Sequence, residues 1–233
     1  MRAPAGAPAA PAFLHGTPAG SHVTLPFPPV YRLRMARDLI VQRFETRSQI
    51  DGLRVAAGFG AIVPTAEVVE MFRKSVAIGG TITAALLQGA LVGYAADLPF
   101  APIEWDGQRI ARRWEAIPEV RELGAVEVAA PFRNRGIART LMQAFAEGDR
   151  LERYIVIGEA LSWHWDVAAA GNDPWEYRRR LSRLLESAGF QRFDTDAPDV
   201  TYDAASFLAA RIGGATAPSS RRAFEAALFQ TAA

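Results

Sequence analysis

The sequence predicts a mixed α/β fold, in which a central sheet carries helices on both faces. Apolar segments of strand length alternate with segments whose apolar residues recur at helical spacing. Strands come first, followed by strand, helix, strand, helix and two closing strands, an order typical of a layered α/β domain. The chain has 233 residues, half of them apolar, which is enough to bury one core of this kind.

The chain is expected to begin with a flexible tail at residues 1–25, because its first part is an Ala/Pro run. That run has one arginine and no continuous apolar segment, so it makes a poor signal peptide. We therefore expect a cytoplasmic protein with a single domain at residues 26–212. Residues 213–233 are interpreted as a C-terminal extension.

The first elements follow from local patterns. Residues 38–44 predict a strand and residues 47–55 a short helix. Pro64-Thr65 opens a second predicted helix, with Thr65 as its N-cap. Apolar residues recur at helical spacing through Val76, which indicates that one face of this helix is buried.

Residues 76–96 contain no charge and are long enough to suggest a membrane helix. Four glycines interrupt them, however, and Gln88-Gly89 lies in the middle like a turn. The segment therefore predicts a hairpin of two buried strands at 81–87 and 90–97, and no membrane association is expected.

Residues 98–120 predict a long loop, which in a compact domain is usually functional or a lid. Residues 152–161 predict another apolar strand. Asp173-Pro174 then predicts the start of a helix that ends at Gly189. The remaining predictions are strands at 190–195 and 203–211, a linker at 213–220 and a helix at 221–230.

The most informative stretch, 122–142, predicts a strand, a basic glycine loop and a helix. The loop, 133–138, has the pattern R-x-x-G-x-A. A helix start with free backbone N–H groups beside arginines can hold a phosphate. Because the preceding strand carries Glu122 and Glu127, the stretch predicts group transfer from a phosphorylated carrier. On its own the pattern is weak, since basic glycine turns before helices are common.

Composition excludes several classes of site. Net charge is +1, with 26 basic and 25 acidic residues, so a nucleic-acid partner is not expected. The absence of cysteine excludes disulfides, thiolate metal sites and a cysteine acyl-enzyme. The three histidines, His15, His22 and His164, are too scattered to predict a metal site.

The strand, loop and periodic helix together resemble motif A of the GNAT superfamily of acyl-CoA N-acyltransferases. The resemblance implies a mostly antiparallel central sheet and acetyl-CoA as co-substrate. It implies that the diphosphate of CoA is bound by Arg133, Asn134, Arg135, Gly136, Ile137 and Ala138. It also implies that strand amides of Val128 and Ala130 bind the pantetheine arm.

The same resemblance implies a carboxylate base. Glu122 lies where other members keep one, eleven residues before the first loop arginine, although an ordinary salt-bridged strand glutamate is an equal alternative. Glu127 is the second candidate and Glu159 a third. Side chains alternate between the two faces of a strand, and Glu122 and Glu127 are an odd number of residues apart. A β-bulge is therefore needed to bring them to one face. The tyrosine acid of many members is replaced here by Leu185, and no general acid is assigned.

Four segments also resemble the acetoin-utilisation acetyltransferases of bacteria over roughly residues 80–213. They are ELGAVEVAAPFR, ERYIVIGEALSWHWD, DPWEYRR and FLAARIG. This resemblance implies a protein substrate, the active-site lysine of AMP-forming acetyl-CoA synthetase, which acetylation inactivates. Two alternatives stay open: a GNAT enzyme for a small-molecule amine, and a non-catalytic regulator that binds CoA and a partner. Trp163, Trp165 and Trp175 are interpreted as core or groove walls, and His164 as a packed side chain.

Overall fold

The computed structural model describes residues 38–230, with no side-chain description at 103–105, so the predicted tail at 1–25 lies outside it. The strands within this range are β1 Leu39–Phe44, β2 Arg54–Val55, β3 Thr81–Leu87, β4 Ala90–Pro99, β5 Ile103–Trp105, β6 Gln108–Ile110, β7 Val120–Val128, β8 Ile155–Ala160, β9 Gln191–Phe193 and β10 Phe207–Ile212. The α-helices are α1 Arg47–Ile50, α2 Val68–Ala77, α3 Ile137–Ala146, α4 Pro174–Glu186, α5 Pro198–Thr201 and α6 Pro218–Ala226.

Eight of these strands form one sheet in the order β1-β3-β4-β7-β8-β10-β9, with β2 beside β4. Neighbouring strands are antiparallel except for the pairs β7–β8 and β2–β4, which are parallel. The predicted mixed, mostly antiparallel sheet is therefore confirmed.

The two central parallel strands, β7 and β8, separate halfway along their length. Their pairing runs only from Val120 opposite Ile155 to Glu122 opposite Ile157. Beyond that point β7 continues to pair with β4 on its other side, as far as Val128. An opening therefore lies between the carboxyl halves of β7 and β8, which we call the β7–β8 opening.

Helices cover both faces of the sheet, as predicted. On one face, Phe72 of α2 meets the ring of Tyr94 edge-on, with centroids 5.0 Å apart. On the other face, Met142 and Phe145 of α3 are fully buried in a cluster with Ala95. Tyr94 and Ala95 are adjacent on β4 and point to opposite faces, so the strand is buried on both sides.

The C-terminal segment belongs to the same core. Phe224 of α6 is fully buried. Its ring packs edge-on against Phe193 of β9 and lies 6.1 Å from that of Trp114, measured between centroids. The predicted C-terminal extension, 213–233, therefore contributes a helix to the hydrophobic core within its described part.

The predicted hairpin is present, with Gln88 and Gly89 both at positive φ in the turn between β3 and β4. Within residues 38–230, no helix is both long and apolar enough to cross a membrane. The predicted loop at 98–120 contains a second hairpin, β5–β6, because Asp106-Gly107 supplies a two-residue turn with both residues at positive φ.

Other boundaries differ from the sequence prediction for local reasons. The predicted helix at 47–55 ends at Ile50, where a turn through Gly52 at φ 80° leads into β2. Thr65 does not cap α2. It opens a 3₁₀ turn, and its hydroxyl donates to the carbonyl oxygen of Phe59 at 3.2 Å.

Candidate active site

The start of α3 has the backbone of an anion site. Gly136 is its N-cap at φ 81°, and Asn134 also has a left-handed backbone at φ 59°. A Cβ added at Gly136 would meet no heavy atom within 4 Å, so the space in front of the helix is open. Glycine has no side chain to cap the first turn, whose N–H groups have no intrahelical partner. This arrangement suits a phosphate group.

Arg133 is engaged with the protein itself. Its Nε donates to the carbonyl oxygen of Val128 at 3.0 Å, and its Nη1 is ion-paired with Asp166. The guanidinium of Arg135 lies 5.7 Å from the ring centroid of Phe132. Arg133 therefore bridges from the end of β7 to the loop after β8.

The remaining predicted CoA residues divide into two groups. Ile137 is buried and Ala138 packs partly buried beside it, so their side chains anchor α3 and leave only their backbone for a ligand. Val128 ends β7 opposite Gly93. Ala130 lies beyond the strand in a 3₁₀ turn, and its N–H donates to the carbonyl oxygen of Gly58 at 2.9 Å. In this conformation the Ala130 amide is not open to a pantetheine arm.

Glu127 is buried, and both of its carboxylate oxygens accept hydrogen bonds from protein donors. Its Oε1 accepts the backbone N–H groups of Gly60 at 2.9 Å and Ala61 at 2.8 Å. Its Oε2 accepts the hydroxyl of Tyr94 at 3.0 Å. Burial and then the Glu127 carboxylate raise the pKa of Tyr94 far above its ordinary value, so the phenol stays protonated and donates. The geometry suits an anchor for the segment 58–61 better than a proton acceptor.

A β-bulge brings the predicted glutamates to one face. On β4, Tyr94 and Leu98 point to the same side, because residues two apart share a face. They pair with Glu127 and Glu122, which are five residues apart on β7. The register shifts between Ala96 and Asp97, so β7 holds one extra residue there. The β-bulge needed to bring Glu122 and Glu127 to one face is therefore present.

Glu122 and Glu159 share one arginine. Arg112 donates to both oxygens of Glu122, at 2.7 and 3.0 Å, and to Glu159 at 2.5 Å. Its guanidinium lies 3.9 Å from the ring centroid of Phe100. Burial raises the pKa of the Glu159 carboxyl, with Glu122 and Asp199 adding to the rise and Arg112 opposing it.

A cavity of about 400 Å³ lies over the carboxyl ends of β7 and β8. The segment 58–61 forms one wall and the loop segment 163–166 the other, with Ala130 and Arg133 at its base. Gly58 has φ 104°, and a Cβ there would lie 2.6 Å from Cδ of Pro131. The wall therefore approaches the end of β7 more closely than a larger residue would permit.

Tyr177 lies at the edge of this cavity. Its ring stacks on Trp165, a cavity residue, with centroids 5.0 Å apart and planes 14° apart. Burial raises the pKa of its hydroxyl, while the charges of Arg133 and Asp166 act on it in opposite directions. Leu185, where many members carry a tyrosine, is an apolar core residue 3% exposed. A phenol is thus present at the site, two turns upstream of the usual place.

Several aromatic side chains in and after the loop that follows β8 are exposed. Trp163 is 40% exposed and meets Tyr202 edge-on, with centroids 5.7 Å apart. Trp175 is also exposed, with the guanidinium of Arg178 5.5 Å from its ring. Burial lowers the pKa of His164, so its imidazole is neutral near pH 7.

Sequence reasoning missed Arg112 and the segment 58–61. The glycines at 58 and 60 and the arginine pair at 112–113 were visible signals, but nothing local indicated what they would face. Among residues 38–230, no group of three or more His, Asp or Glu side chains lies close enough together to hold a metal ion.

Comparisons with known proteins add an independent finding. No family model matches the chain. The acetoin utilization protein AcuA of Bacillus licheniformis is 32% identical over 136 residues, which are 58% of this chain and 61% of that protein. AcuA of Bacillus subtilis is 34% identical over 125 residues, 53% of this chain and 56% of that protein. The chain thus spans less than two thirds of the curated relatives it matches.

A solved structure extends the likeness. The acetoin utilization protein from Exiguobacterium sibiricum superposes with a TM-score of 0.72 at 29% identity. The match covers 79% of this chain and 85% of that one. The shared fold therefore includes most of the described sheet and its helices.

Proposed function

We propose that this chain, a GNAT-type relative of the acetoin utilization protein AcuA, transfers the acetyl group of acetyl-CoA to the ε-amine of a protein lysine. One observation carries the proposal. The β7–β8 opening lies directly beside the uncapped start of α3, so a phosphate site and a slot for an extended arm adjoin each other. Similarity to AcuA supports the same reaction class.

The CoA diphosphate would bind at the first turn of α3. The backbone N–H groups of Gly136, Ile137 and Ala138 supply donors, and Asn134 shapes the turn with its left-handed backbone. Arg133 and Arg135 supply positive charge. The pantetheine arm would lie in the opening, against the edge of β7 that β8 leaves unpaired after Glu122.

The acceptor amine must lose a proton before it attacks. A lysine with pKa about 10.4 is protonated near neutral pH, and neutralising it costs roughly 4 kcal/mol. A carboxylate positioned to accept the proton offsets part of this cost and typically raises the rate ~10²–10⁴-fold. Glu122 and Glu159 lie where β7 and β8 separate and would supply such carboxylates, whereas both oxygens of Glu127 accept hydrogen bonds from protein donors. The neutral amine then attacks the thioester carbon, a backbone N–H stabilises the oxyanion, and CoA leaves as thiolate.

The proposed acceptor is the active-site lysine of AMP-forming acetyl-CoA synthetase. The cavity favours a protein acceptor over a small polycation in two respects. Its wall at Trp163 is partly exposed, so the cavity opens to the surface. Its lining carboxylate, Asp166, is already paired with Arg133, so this group is not free to bind a polyamine.

Transfer of isotope-labelled acetyl from acetyl-CoA tests the proposal, with AMP-forming acetyl-CoA synthetase and a polyamine as separate acceptors. The expected result is label on one lysine of the synthetase and loss of synthetase activity. Arg133→Ala should reduce transfer, whereas the matched surface variant Arg73→Ala should not. Label on the polyamine alone supports a small-amine enzyme. CoA binding without transfer to any amine supports a non-catalytic regulator and overturns the enzyme proposal.

A further inference from the structure

Glu159 and Glu122 meet Arg112 at the point where β7 and β8 separate. Glu122 is the last residue of β7 that pairs with β8, and its partner there is Ile157. Glu159 lies two residues further along β8, so it points to the same face as Ile157. It is therefore the first side chain of that face to border the β7–β8 opening.

The loop between β4 and β7 covers this cluster. Arg112 belongs to that loop, and its guanidinium packs over Phe100, which starts the loop. The side chain of Arg112 is 12% exposed, that of Glu122 23% and that of Glu159 16%. Partial burial strengthens the attraction between these charges and fixes their geometry.

The two glutamates have different environments. Glu122 receives two hydrogen bonds from Arg112, in a bidentate pair. Glu159 receives one, and burial together with the Glu122 and Asp199 carboxylates favours its protonated form. Because Arg112 donates twice to Glu122 and once to Glu159, the two glutamates are suited to different roles, Glu122 as a fixed partner of Arg112 and Glu159 as a proton acceptor.

We infer that Glu159 accepts the proton of the attacking amine, and that Arg112 and Glu122 position it. The inference rests on the proposed function and names the base of that reaction. An ammonium N–H bond breaks and its proton goes to the Glu159 carboxylate. The amine lone pair then forms the bond to the acetyl carbon, and the carbon–sulfur bond breaks with its electrons on sulfur. The second amine proton passes through water to the CoA thiolate, and Glu159 releases its proton to solvent.

The test is the pH dependence of acetyl transfer from acetyl-CoA to AMP-forming acetyl-CoA synthetase, with CoA affinity measured separately. Wild type should lose activity as pH falls through the raised pKa of Glu159, because the base becomes protonated. Glu159→Gln should lower the rate ~10²–10⁴-fold, abolish that pH break and leave CoA affinity unchanged. Glu159→Asp, which keeps a carboxylate, should retain the break. Glu225→Gln on the exposed surface of α6 is the matched control.

Arg112→Gln separates positioning from folding. Removing the guanidinium takes away the charge that lowers the pKa of Glu159, so the break should move to higher pH. If the cluster is purely structural, Arg112→Gln should lower thermal stability without moving the pH break. If Glu159→Gln keeps the wild-type rate and break, the inference is overturned while the proposed function stands. If wild type transfers no acetyl group to any amine, the proposed function fails first and the inference fails with it.

Discussion

The Arg133 guanidinium is ion-paired with the Asp166 carboxylate across the end of the β7–β8 opening. Arg133 lies in the loop after β7 and Asp166 in the loop after β8. The ion pair therefore joins the two loops that follow the separated strands. Arg133 also donates to the carbonyl oxygen of Val128 at 3.0 Å. A diphosphate at the start of α3 would therefore compete with Asp166 for the same cation.

Asp166→Asn should tighten CoA binding by about two- to fivefold. The pair is partly exposed, so its removal should release only the modest free energy of a surface ion pair. Arg133 would then be free to approach the diphosphate. Titration calorimetry with CoA measures the change, and Asp51→Asn, in a surface pair with Arg73, serves as control. Unchanged or weaker binding in Asp166→Asn would show that the two anions do not compete.

Glu127→Gln should destabilise the fold by about 1–3 kcal/mol, because a buried acceptor of three hydrogen bonds is altered. Tyr94→Phe, which removes only one donor, should cost about 1 kcal/mol. Denaturant unfolding measures both, and Glu70→Gln on the exposed side of α2 provides the control. If Glu127→Gln unfolds like wild type but transfers no acetyl group, its role is proton transfer and the anchoring interpretation is wrong.

Phe224→Ala should cost about 3–5 kcal/mol of unfolding free energy, since the ring is fully buried between Trp114 and Phe193. Phe229→Ala is the matched control, because that ring is 57% exposed. Chemical unfolding followed by tryptophan fluorescence reports the difference. Equal stabilities for the two variants would mean that α6 is not part of the core.

Local sequence signals predicted much of the framework. Asp173 caps α4 as expected, accepting the N–H groups of Trp175 and Glu176 at 2.9 and 3.2 Å. The turn at Gln88-Gly89 and the glycine start of α3 were equally readable, because each depends on neighbours in sequence. The predicted resemblance to acetoin-utilisation proteins is confirmed by the curated relatives.

The interior of the site was not predictable in the same way. The hydrogen bond between Arg112 and Glu159 joins residues 47 positions apart in sequence, and that between Gly60 and Glu127 joins residues 67 apart. Such pairs depend on strand order and on the bulge in β7, which no local pattern reveals. Hence the roles of Glu122 and Glu127 as bases remain predictions, although the residues themselves were identified.

The fold should lose stability through His164 as pH falls below about 7.5 and on through the lowered pKa of the folded state. Burial lowers the pKa of this imidazole below the ordinary value of about 6.5, so the unfolded chain takes up its proton first. The contribution is complete above the unfolded pKa and is lost as pH falls through the folded one. The unfolding free energy of wild type should therefore fall relative to that of His164→Gln as the pH is lowered. Parallel curves would show that His164 titrates alike in both states.

The central claim is that acetyl-CoA binds in the β7–β8 opening with its diphosphate at the start of α3. A crystal structure of the CoA complex tests it most directly. The account predicts diphosphate oxygens within hydrogen-bond distance of the N–H groups of Gly136, Ile137 and Ala138, and the pantetheine arm between β7 and β8. CoA bound elsewhere, with the first turn of α3 facing only water, would contradict it.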